Sequence, residues 1–351
     1  MQPDFTRKLM KWNKTGNKRQ MPWKGETDPY KIWLSEVMLQ QTRVEQGWAY
    51  YEKFIKAFPS VHKLAAAPDQ LVFKMWEGLG YYSRCKNLLA TARIISKDFK
   101  GKFPRTYDEI LKLKGIGPYT AAAIASFAFN ENRAVVDGNV QRVISRYFGI
   151  STPVDSTEGK KLYSSLAQSL IDEEAPGLYN QAIMDFGATI CKPKNPLCEI
   201  CVEKKECEAF NNGYVYQLPV KEKKLKIRTR WLYYFIIESG ESVYIRKREE
   251  KDIWQNLHEF VLMEKDEPQD EPEKDFLDAL FRRGSYKIMH ASDVFSQQLT
   301  HQRIYGRFFV VQLGAKHKLA GNYTLVKKKD ISSYAFPRFI NSFLENTAFV
   351  P

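Results

Sequence analysis

Residues 111–129 have the sequence LKLKGIGPYTAAAIASFAF, which predicts two apolar helical segments joined by a tight turn. Gly115 and Gly117 allow the backbone to turn sharply and to approach a ligand closely. The second helix presents its N-terminal amides, with their positive dipole, at this turn, and a phosphate fits there. A plain antiparallel helix pair would show the same pattern. In a basic protein, however, the motif favours contact with nucleic acid.

The chain has 351 residues, a formal net charge of +13 and 44% hydrophobic residues. Clustered lysine and arginine neutralise phosphates, so this charge favours a nucleic-acid partner. The first residues, MQPDFTRKLM, lack the apolar region of a signal peptide. Apolar stretches such as AAAIASFAF and WLYYFII are too short to span a bilayer. We therefore expect a cytoplasmic, nucleoid-associated protein of bacterial type that does not bind membranes.

The patterning of apolar residues changes along the chain and predicts two domains. Residues 1–210 show apolar residues at three- and four-residue steps, which predicts an all-α region. Residues 211–228 are rich in lysine and arginine and are predicted to be a linker. From residue 229 the pattern predicts strands, at 231–248 around the turn ESGE and at 303–313, with a closing helix within 330–346. The acidic segment 263–275 is predicted to be a surface loop.

Four of the five cysteines lie within 17 residues and predict a metal centre. Cys191, Cys198, Cys201 and Cys207 have the spacing C-x6-C-x2-C-x5-C. Such a dense set in a reducing compartment indicates metal ligation rather than disulfides. The spacing alone fits either tetrahedral zinc or an iron–sulfur cluster. Cys85 stands apart and is predicted to be a small buried apolar residue.

Two acidic residues are candidates for chemistry. In SEVMLQQT, residues 35–42, Glu36 lies in an apolar stripe, where burial would raise its pKa and let it hold a proton at neutral pH. The alternative is a structural ion pair with an arginine such as Arg43. In VDGNV, Asp137 is predicted to cap a helix, and backbone N–H bonds would lower its pKa and keep it ionised. One acid and one anion suit cleavage of a glycosidic bond through an oxocarbenium-like transition state.

The segment GLGYYSR, residues 78–84, places a leucine between two glycines and follows it with two tyrosines. Apolar and flat side chains can enter a base stack, so Leu79 and Tyr81 are candidates for contact with DNA. A turn followed by core aromatic residues would show the same pattern.

SEVMLQQT, GLGYYSR, LKGIGPYTA, VDGNV and the four-cysteine loop, in this order, resemble the adenine DNA glycosylase family of the helix-hairpin-helix superfamily. The resemblance covers nearly the whole chain. It implies a multidomain protein, with an all-α helix-hairpin-helix glycosylase domain that carries an iron–sulfur loop and an α+β Nudix-like domain over 229–351. It also implies a [4Fe–4S] cluster on the four cysteines. The implied partner is duplex DNA with adenine opposite 8-oxoguanine, or opposite guanine, and we expect a monomer.

The resemblance further implies roles for single residues. Glu36 would protonate adenine at N7, Asp137 would stabilise the oxocarbenium ion, and Tyr119 would complete the catalytic set. Relatives that also cut the strand carry a lysine where Tyr119 stands, for a Schiff base with the sugar. Because tyrosine cannot form that adduct, we expect a monofunctional glycosylase.

Further positions are implied to contact DNA. The second domain lacks the carboxylate-rich Nudix box, so it cannot hold the magnesium needed for pyrophosphate cleavage and is expected to recognise the damaged base. Residues 299–301 of the second domain are Leu-Thr-His, where the family often has Phe-Ser-His. In the first domain, many relatives have arginine at the position of Lys24. The expected DNA contacts are Arg19, Trp23, Lys24 and Gln181 at the adenine pocket, Gln41, Thr42, Leu79 and Tyr81 around the opposite base, Gly115 and Gly117 at the hairpin, and Thr300 and His301 in the second domain.

Two other functions fit parts of the sequence. An endonuclease III-like enzyme would remove oxidised pyrimidines and cut the strand, but Tyr119 and the large second domain argue against it. A non-catalytic DNA-binding protein with a structural cluster is the other alternative, and Glu36 within an apolar stripe argues against that one.

Overall fold

The computed structural model describes residues 4–222, 227–269, 274–281, 285–314, 319 and 321–346. The chain forms two compact units. The first comprises Met1–Ala66 and Asn87–Lys224, and the second comprises Ala67–Lys86 and Leu225–Pro351. The sequence did not indicate that residues 67–86 group with the C-terminal part. The predicted domain boundaries, 1–210, 211–228 and 229–351, remain a prediction.

Helices account for the regular structure of the N-terminal 210 residues wherever these are described, as the three- and four-residue spacing predicts. None of the described helices is both long enough and apolar enough to cross a membrane. The helices up to residue 211 are α1 (Asp4–Thr15), α2 (Pro29–Leu39), α3 (Val44–Ala57), α4 (Val61–Ala66), α5 (Asp69–Trp76), α6 (Tyr82–Asp98), α7 (Tyr107–Leu111), α8 (Pro118–Phe129), α9 (Gly138–Phe148), α10 (Thr157–Leu170), α11 (Pro176–Thr189) and α12 (Glu208–Asn211).

The predicted helical hairpin is formed by α7 and α8. Gly115 lies in the left-handed region at φ +76°, and a Cβ there would lie 2.5 Å from the Cβ of Asn87, so glycine is required. Gly117 caps α8 and Pro118 occupies its first turn, where proline is favoured. A Cβ on Gly117 would meet open space. The first helix ends at Leu111, so residues 112–114 belong to the turn rather than to the helix as predicted.

Three helices, α2, α8 and α9, carry or cap the candidate catalytic residues. Asp28 caps α2 by accepting a hydrogen bond from the Tyr30 amide, and α2 is buried nearly all round. Helix α8 is rich in alanine, which permits close approach, and it packs against α2. Asp137 caps α9. The starts of α8 and α9 and the C-terminal half of α2 therefore define the site.

An eight-stranded mixed sheet forms the core of the described part of the second unit, in agreement with the predicted α+β class. The central pair, β1 and β7, is parallel, and the other pairings are antiparallel. Gly306 permits this pairing, because a Cβ there would lie 1.8 Å from the carbonyl oxygen of Leu232. The order is β3-β2-β1-β7-β5, with β4 on β1, β6 on β7 and β8 on β2. The elements are β1 (Arg228–Ser239), β2 (Ser242–Lys247), β3 (His258–Glu259), β4 (Val261–Lys265), α13 (Lys274–Leu280), β5 (Tyr286–Ala291), β6 (Phe295–Gln298), β7 (Gln302–Leu313), β8 (Tyr323–Lys327) and α14 (Arg338–Asn346).

Two predicted irregular segments are more ordered than expected. The acidic segment begins inside β4, because Arg230 on the neighbouring strand binds the Glu264 carboxylate at 2.6 Å and compensates its charge. The segment also enters α13, and its residues 270–273 lie outside the described part. In the predicted linker, Val215 and Leu218 are buried with Ala209. Residues 223–226 of that linker are not described.

Candidate active site

Glu36 is a buried carboxyl group in α2, with 5% of its surface exposed. The Tyr119 hydroxyl donates a hydrogen bond to its Oε2 at 2.6 Å. Burial raises the pKa of Glu36 to about 7; the hydrogen bond from Tyr119 opposes this rise and the charge of Asp137 adds to it. This agrees with the pKa expected from the sequence. Among the described residues no ion pair joins Glu36 to Arg43, so the structural alternative is not found.

Asp137 caps α9 with three hydrogen bonds. Its Oδ1 accepts the backbone N–H groups of Asn139 and Val140, both at 2.8 Å, and its Oδ2 accepts the side-chain amide of Asn139 at 2.7 Å. Burial nevertheless raises the pKa of Asp137 above its ordinary value. The predicted lowering was wrong in direction, because it counted the cap bonds and not the loss of water. The three donors still favour the ionised form of this carboxyl group.

The three predicted catalytic side chains share one electrostatic environment. Burial raises the pKa of Tyr119 well above its usual value, and the charges of Glu36 and Asp137 raise it further, whereas Arg19 opposes the rise. The charge of Asp137 acts on Glu36 as well. An amide next to the site also has a fixed position, since Gln40 Nε2 donates to the Thr120 hydroxyl at 3.2 Å.

Three of the four residues expected at the adenine pocket converge on one carboxylate, Asp185 of α11. Arg19 Nη1 and Lys24 Nζ each lie 2.9 Å from its oxygens, and Gln181 Nε2 lies 3.1 Å away. The fourth, Trp23, is buried against Tyr51 and Trp48. Asp185 was not predicted from the sequence. The only signal was an acidic residue in the apolar run IMDFGA at 183–188.

The four clustered cysteines line one small cavity together with Arg146, Ile190 and Leu197. Arg146 is buried and donates to Cys191 Sγ at 3.5 Å and to the Lys192 carbonyl at 2.7 Å. Within the part of the chain that is described, no three His, Cys, Asp or Glu side chains meet closely enough to hold a metal ion in the present arrangement. The cysteines thus face a common space instead of converging on one point.

A second cavity lies within the second unit and is lined by three of the predicted DNA contacts, Tyr81, Thr300 and His301. It is lined by residues of three segments, 78–83, 252–256 and 297–302, and by Arg338. Tyr81 is 40% exposed at φ +48°, and its hydroxyl is hydrogen-bonded to that of Thr300. Thr300 and His301 are exposed in the turn between β6 and β7.

The remaining predicted contacts differ in exposure. Leu79 is only 4% exposed and packs in the core of this structure, and its entry into a base stack stays a prediction. Gln41 is exposed in the left-handed region at φ +57°, and Thr42 follows it with its amide bonded to the Leu39 carbonyl. Gln41 thus lies at the surface directly after the helix that carries Glu36.

Residues 34–168 match the family described as HhH-GPD superfamily base excision DNA repair protein, and residues 233–346 match the NUDIX domain. The chain is 35% identical over 303 residues to a protein of Buchnera aphidicola subsp. Baizongia pistaciae named adenine DNA glycosylase. That match covers 86% of this chain and 84% of the relative. The chain belongs to the adenine DNA glycosylase family. A Mus musculus family member of the same name is 40% identical over 227 residues, which cover 61% of this chain and 44% of the mouse protein.

Solved structures similar to this adenine DNA glycosylase family member agree with the helical fold. A thermostable thymine-DNA glycosylase aligns with a TM-score of 0.55 at 32% identity, over 59% of this chain and 95% of that one. A trapped endonuclease III–DNA covalent intermediate aligns with a TM-score of 0.51 at 20% identity, over 59% of this chain and 94% of that one. The second likeness shows the fold alone. The predicted fold class and family are therefore confirmed.

Proposed function

We propose that this protein removes adenine opposite 8-oxoguanine, and opposite guanine, from duplex DNA by hydrolysing the N-glycosidic bond. The observation that carries the proposal is the pair of carboxyl groups of Glu36 and Asp137, which influence one another and differ in their hydrogen bonds. The Glu36 carboxyl group accepts one hydrogen bond from a hydroxyl group, whereas the Asp137 carboxyl group accepts three hydrogen bonds from N–H groups. Of the two, Glu36 therefore holds the proton and Asp137 the charge.

The reaction follows from this difference. Glu36, with a pKa of about 7, transfers its proton to N7 of the extruded adenine, and the bond between the base and C1′ breaks. The ionised Asp137 stabilises the positive charge that develops on the sugar. Water then adds to C1′, which leaves an abasic site and regenerates the acid. Tyr119 holds the Glu36 carboxyl group through its hydroxyl and offers no amine for a Schiff base.

The experiment that tests this function is a glycosylase assay on duplexes with adenine opposite 8-oxoguanine, guanine or thymine. We expect adenine release opposite 8-oxoguanine and guanine, and strand scission only after treatment with alkali. Scission without alkali, together with a strong covalent adduct on borohydride treatment, would support the endonuclease III-like alternative. DNA binding without base release would support the non-catalytic one.

We propose that the cavity of the second unit recognises the base opposite adenine. The hydroxyl groups of Tyr81 and Thr300 and the ring of His301 supply both donors and acceptors at its edge. 8-Oxoguanine differs from guanine by an added oxygen and by the hydrogen on N7, which hydroxyl groups can distinguish. The hairpin turn at Gly117, where an added Cβ would meet open space, leaves room for a DNA phosphate at the start of α8.

Replacing Thr300→Val keeps the side-chain shape and removes the hydroxyl group. We expect the preference for 8-oxoguanine over guanine to fall about 3- to 10-fold, the effect of one net hydrogen bond. Single-turnover rates and binding to the two duplexes measure this. Ser296→Ala is the matched control, because Ser296 is exposed on β6 and absent from the cavity lining. An unchanged preference in Thr300→Val would contradict the assignment.

We propose that Cys191, Cys198, Cys201 and Cys207 hold a [4Fe–4S] cluster. Four sulfur donors that line one shared cavity suit a [4Fe–4S] cluster, which is held by four cysteine thiolates. Bound there, the cluster would tie the loop 191–207 together. Arg146 would support it, because its guanidinium bonds both Cys191 and the adjacent backbone.

Cys198→Ser should lose the cluster, because a serine hydroxyl is a poor ligand for iron. We expect the purified wild-type protein to be yellow-brown, with about four iron and four sulfide per chain. The variant should be pale and low in iron, whereas Cys85→Ser, at a buried position outside the loop, should retain its iron. Colourless wild-type protein that contains zinc would contradict the assignment.

A further inference from the structure

One buried carboxylate outside the catalytic set collects four donors. Asp185 has a side chain that is fully buried. Its Oδ1 accepts from Arg19 Nη1 at 2.9 Å and Gln181 Nε2 at 3.1 Å, and its Oδ2 accepts from Asn17 Nδ2 at 2.8 Å and Lys24 Nζ at 2.9 Å. Both oxygens thus have two partners, which a buried charge requires.

Three of these donors come from residues 17–24, which form neither helix nor strand. Local hydrogen bonds within this segment run from the Arg19 amide to Asn17 Oδ1, from Lys24 Nζ to the Arg19 carbonyl at 2.9 Å, and from the Lys24 amide to the Met21 carbonyl at 3.1 Å. Asp185 lies more than 160 residues further along the chain. The bonds to this distant carboxylate, together with the packing of the buried Trp23 against Tyr51, therefore fix the position of the segment.

The same segment brings positive charge to the catalytic groups. Arg19 acts on Tyr119, whose hydroxyl is bonded to Glu36. The charged group that acts directly on Glu36 is Asp137. Arg19 and Lys24 together carry two positive charges, and Asp185 offsets one of them. Without Asp185, the net positive charge that acts on Tyr119 would rise, and this would favour the ionised form of the Glu36 carboxyl group bonded to Tyr119, which cannot act as an acid.

We propose that Asp185 is a positioning residue for adenine release, which fixes Arg19 and Lys24 in the pocket wall and offsets their charge so that Glu36 keeps its proton. This inference rests on the proposed function, because it presupposes the acid role of Glu36. Among the described residues, no hydrogen bond joins Asp185 to either catalytic carboxyl group, so Asp185 acts through Arg19 and Lys24.

The test is the pH dependence of single-turnover adenine release. Asp185→Asn leaves the shape nearly unchanged but removes the negative charge. We expect the midpoint at which the rate falls with rising pH to move down by about one pH unit. The rate at pH 8 should then fall about tenfold, with a smaller loss at low pH. A merely structural role would lower the rate by the same factor at every pH.

A second substitution separates charge from shape. Lys24→Gln removes one cation, so alone it should move the midpoint upward. Combined with Asp185→Asn, it restores the original net charge of the group and should return the midpoint close to that of the wild type. Asp98→Asn, at an exposed position near the end of α6, is the matched control and should leave the profile unchanged.

Unmoved midpoints in both Asp185→Asn and Lys24→Gln would overturn the inference. If circular dichroism shows that Asp185→Asn does not fold, Lys24→Gln decides, since its upward shift is expected with Asp185 present. Glu36→Gln separates a failure of the proposed function from a failure of the role of Asp185. Base release retained by Glu36→Gln would overturn the proposed function itself. An inactive Glu36→Gln with unmoved midpoints in the other variants would overturn only the role of Asp185.

Discussion

Glu36→Gln should abolish adenine release while duplex binding is retained. The amide keeps the shape of the carboxyl group and can still meet the Tyr119 hydroxyl, but it cannot transfer a proton to the departing base. Loss of a general acid lowers a rate by roughly 10²–10⁴-fold, so we expect the single-turnover rate of cleavage to fall by at least a factor in that range. Rapid-quench measurement with enzyme in excess over DNA isolates the chemical step.

The matched control for this substitution is Glu158→Gln, at an exposed position in the first turn of α10. It makes the same chemical change far along the chain and should release adenine at the wild-type rate. Cleavage by Glu36→Gln near that rate would show that another group supplies the proton, and the acid assignment would be wrong.

Asp137→Asn should lose base release for a different reason. Asparagine is as good a helix cap as aspartate, and its carbonyl oxygen can still accept the amides of Asn139 and Val140. The fold should therefore be kept while the negative charge is removed. Electrostatic stabilisation of a transition state is worth about 10²–10³-fold per group, which is the loss that we expect.

Asp28→Asn makes the same change at the cap of α2, where Asp28 accepts from the Tyr30 amide. It controls for any general effect of a neutral cap and should remain active. Thermal unfolding should show similar stability for both cap variants. An active Asp137→Asn would mean that the sugar is stabilised in some other way.

Local features of this protein could be predicted from the sequence because their causes are local. The hairpin around Gly115 follows from glycine geometry, and the cap at Asp137 follows from a short polar side chain at a helix start. Likewise, the position of Glu36 in an apolar stripe was sufficient to predict its raised pKa. These inferences use neighbours within a few residues.

The features that were missed depend on distant parts of the chain. The rise in the pKa of Asp137 comes from burial that only the packed helices create. The convergence on Asp185 joins residues more than 160 positions apart. The burial of Leu79 and the ordering of Glu264 by Arg230 are also tertiary effects. A pattern of residue types does not encode which charge compensates which.

The central claim is that one carboxyl group is protonated and its neighbour ionised in the same site. The pH profile of single-turnover adenine release by the wild-type enzyme tests it most directly. Since Glu36 must be protonated, the rate should be highest below its pKa of about 7 and fall about tenfold per pH unit well above it. At low pH the rate should fall again as Asp137 takes up a proton. A rate that stays constant from about pH 6 to about pH 9 would contradict the account.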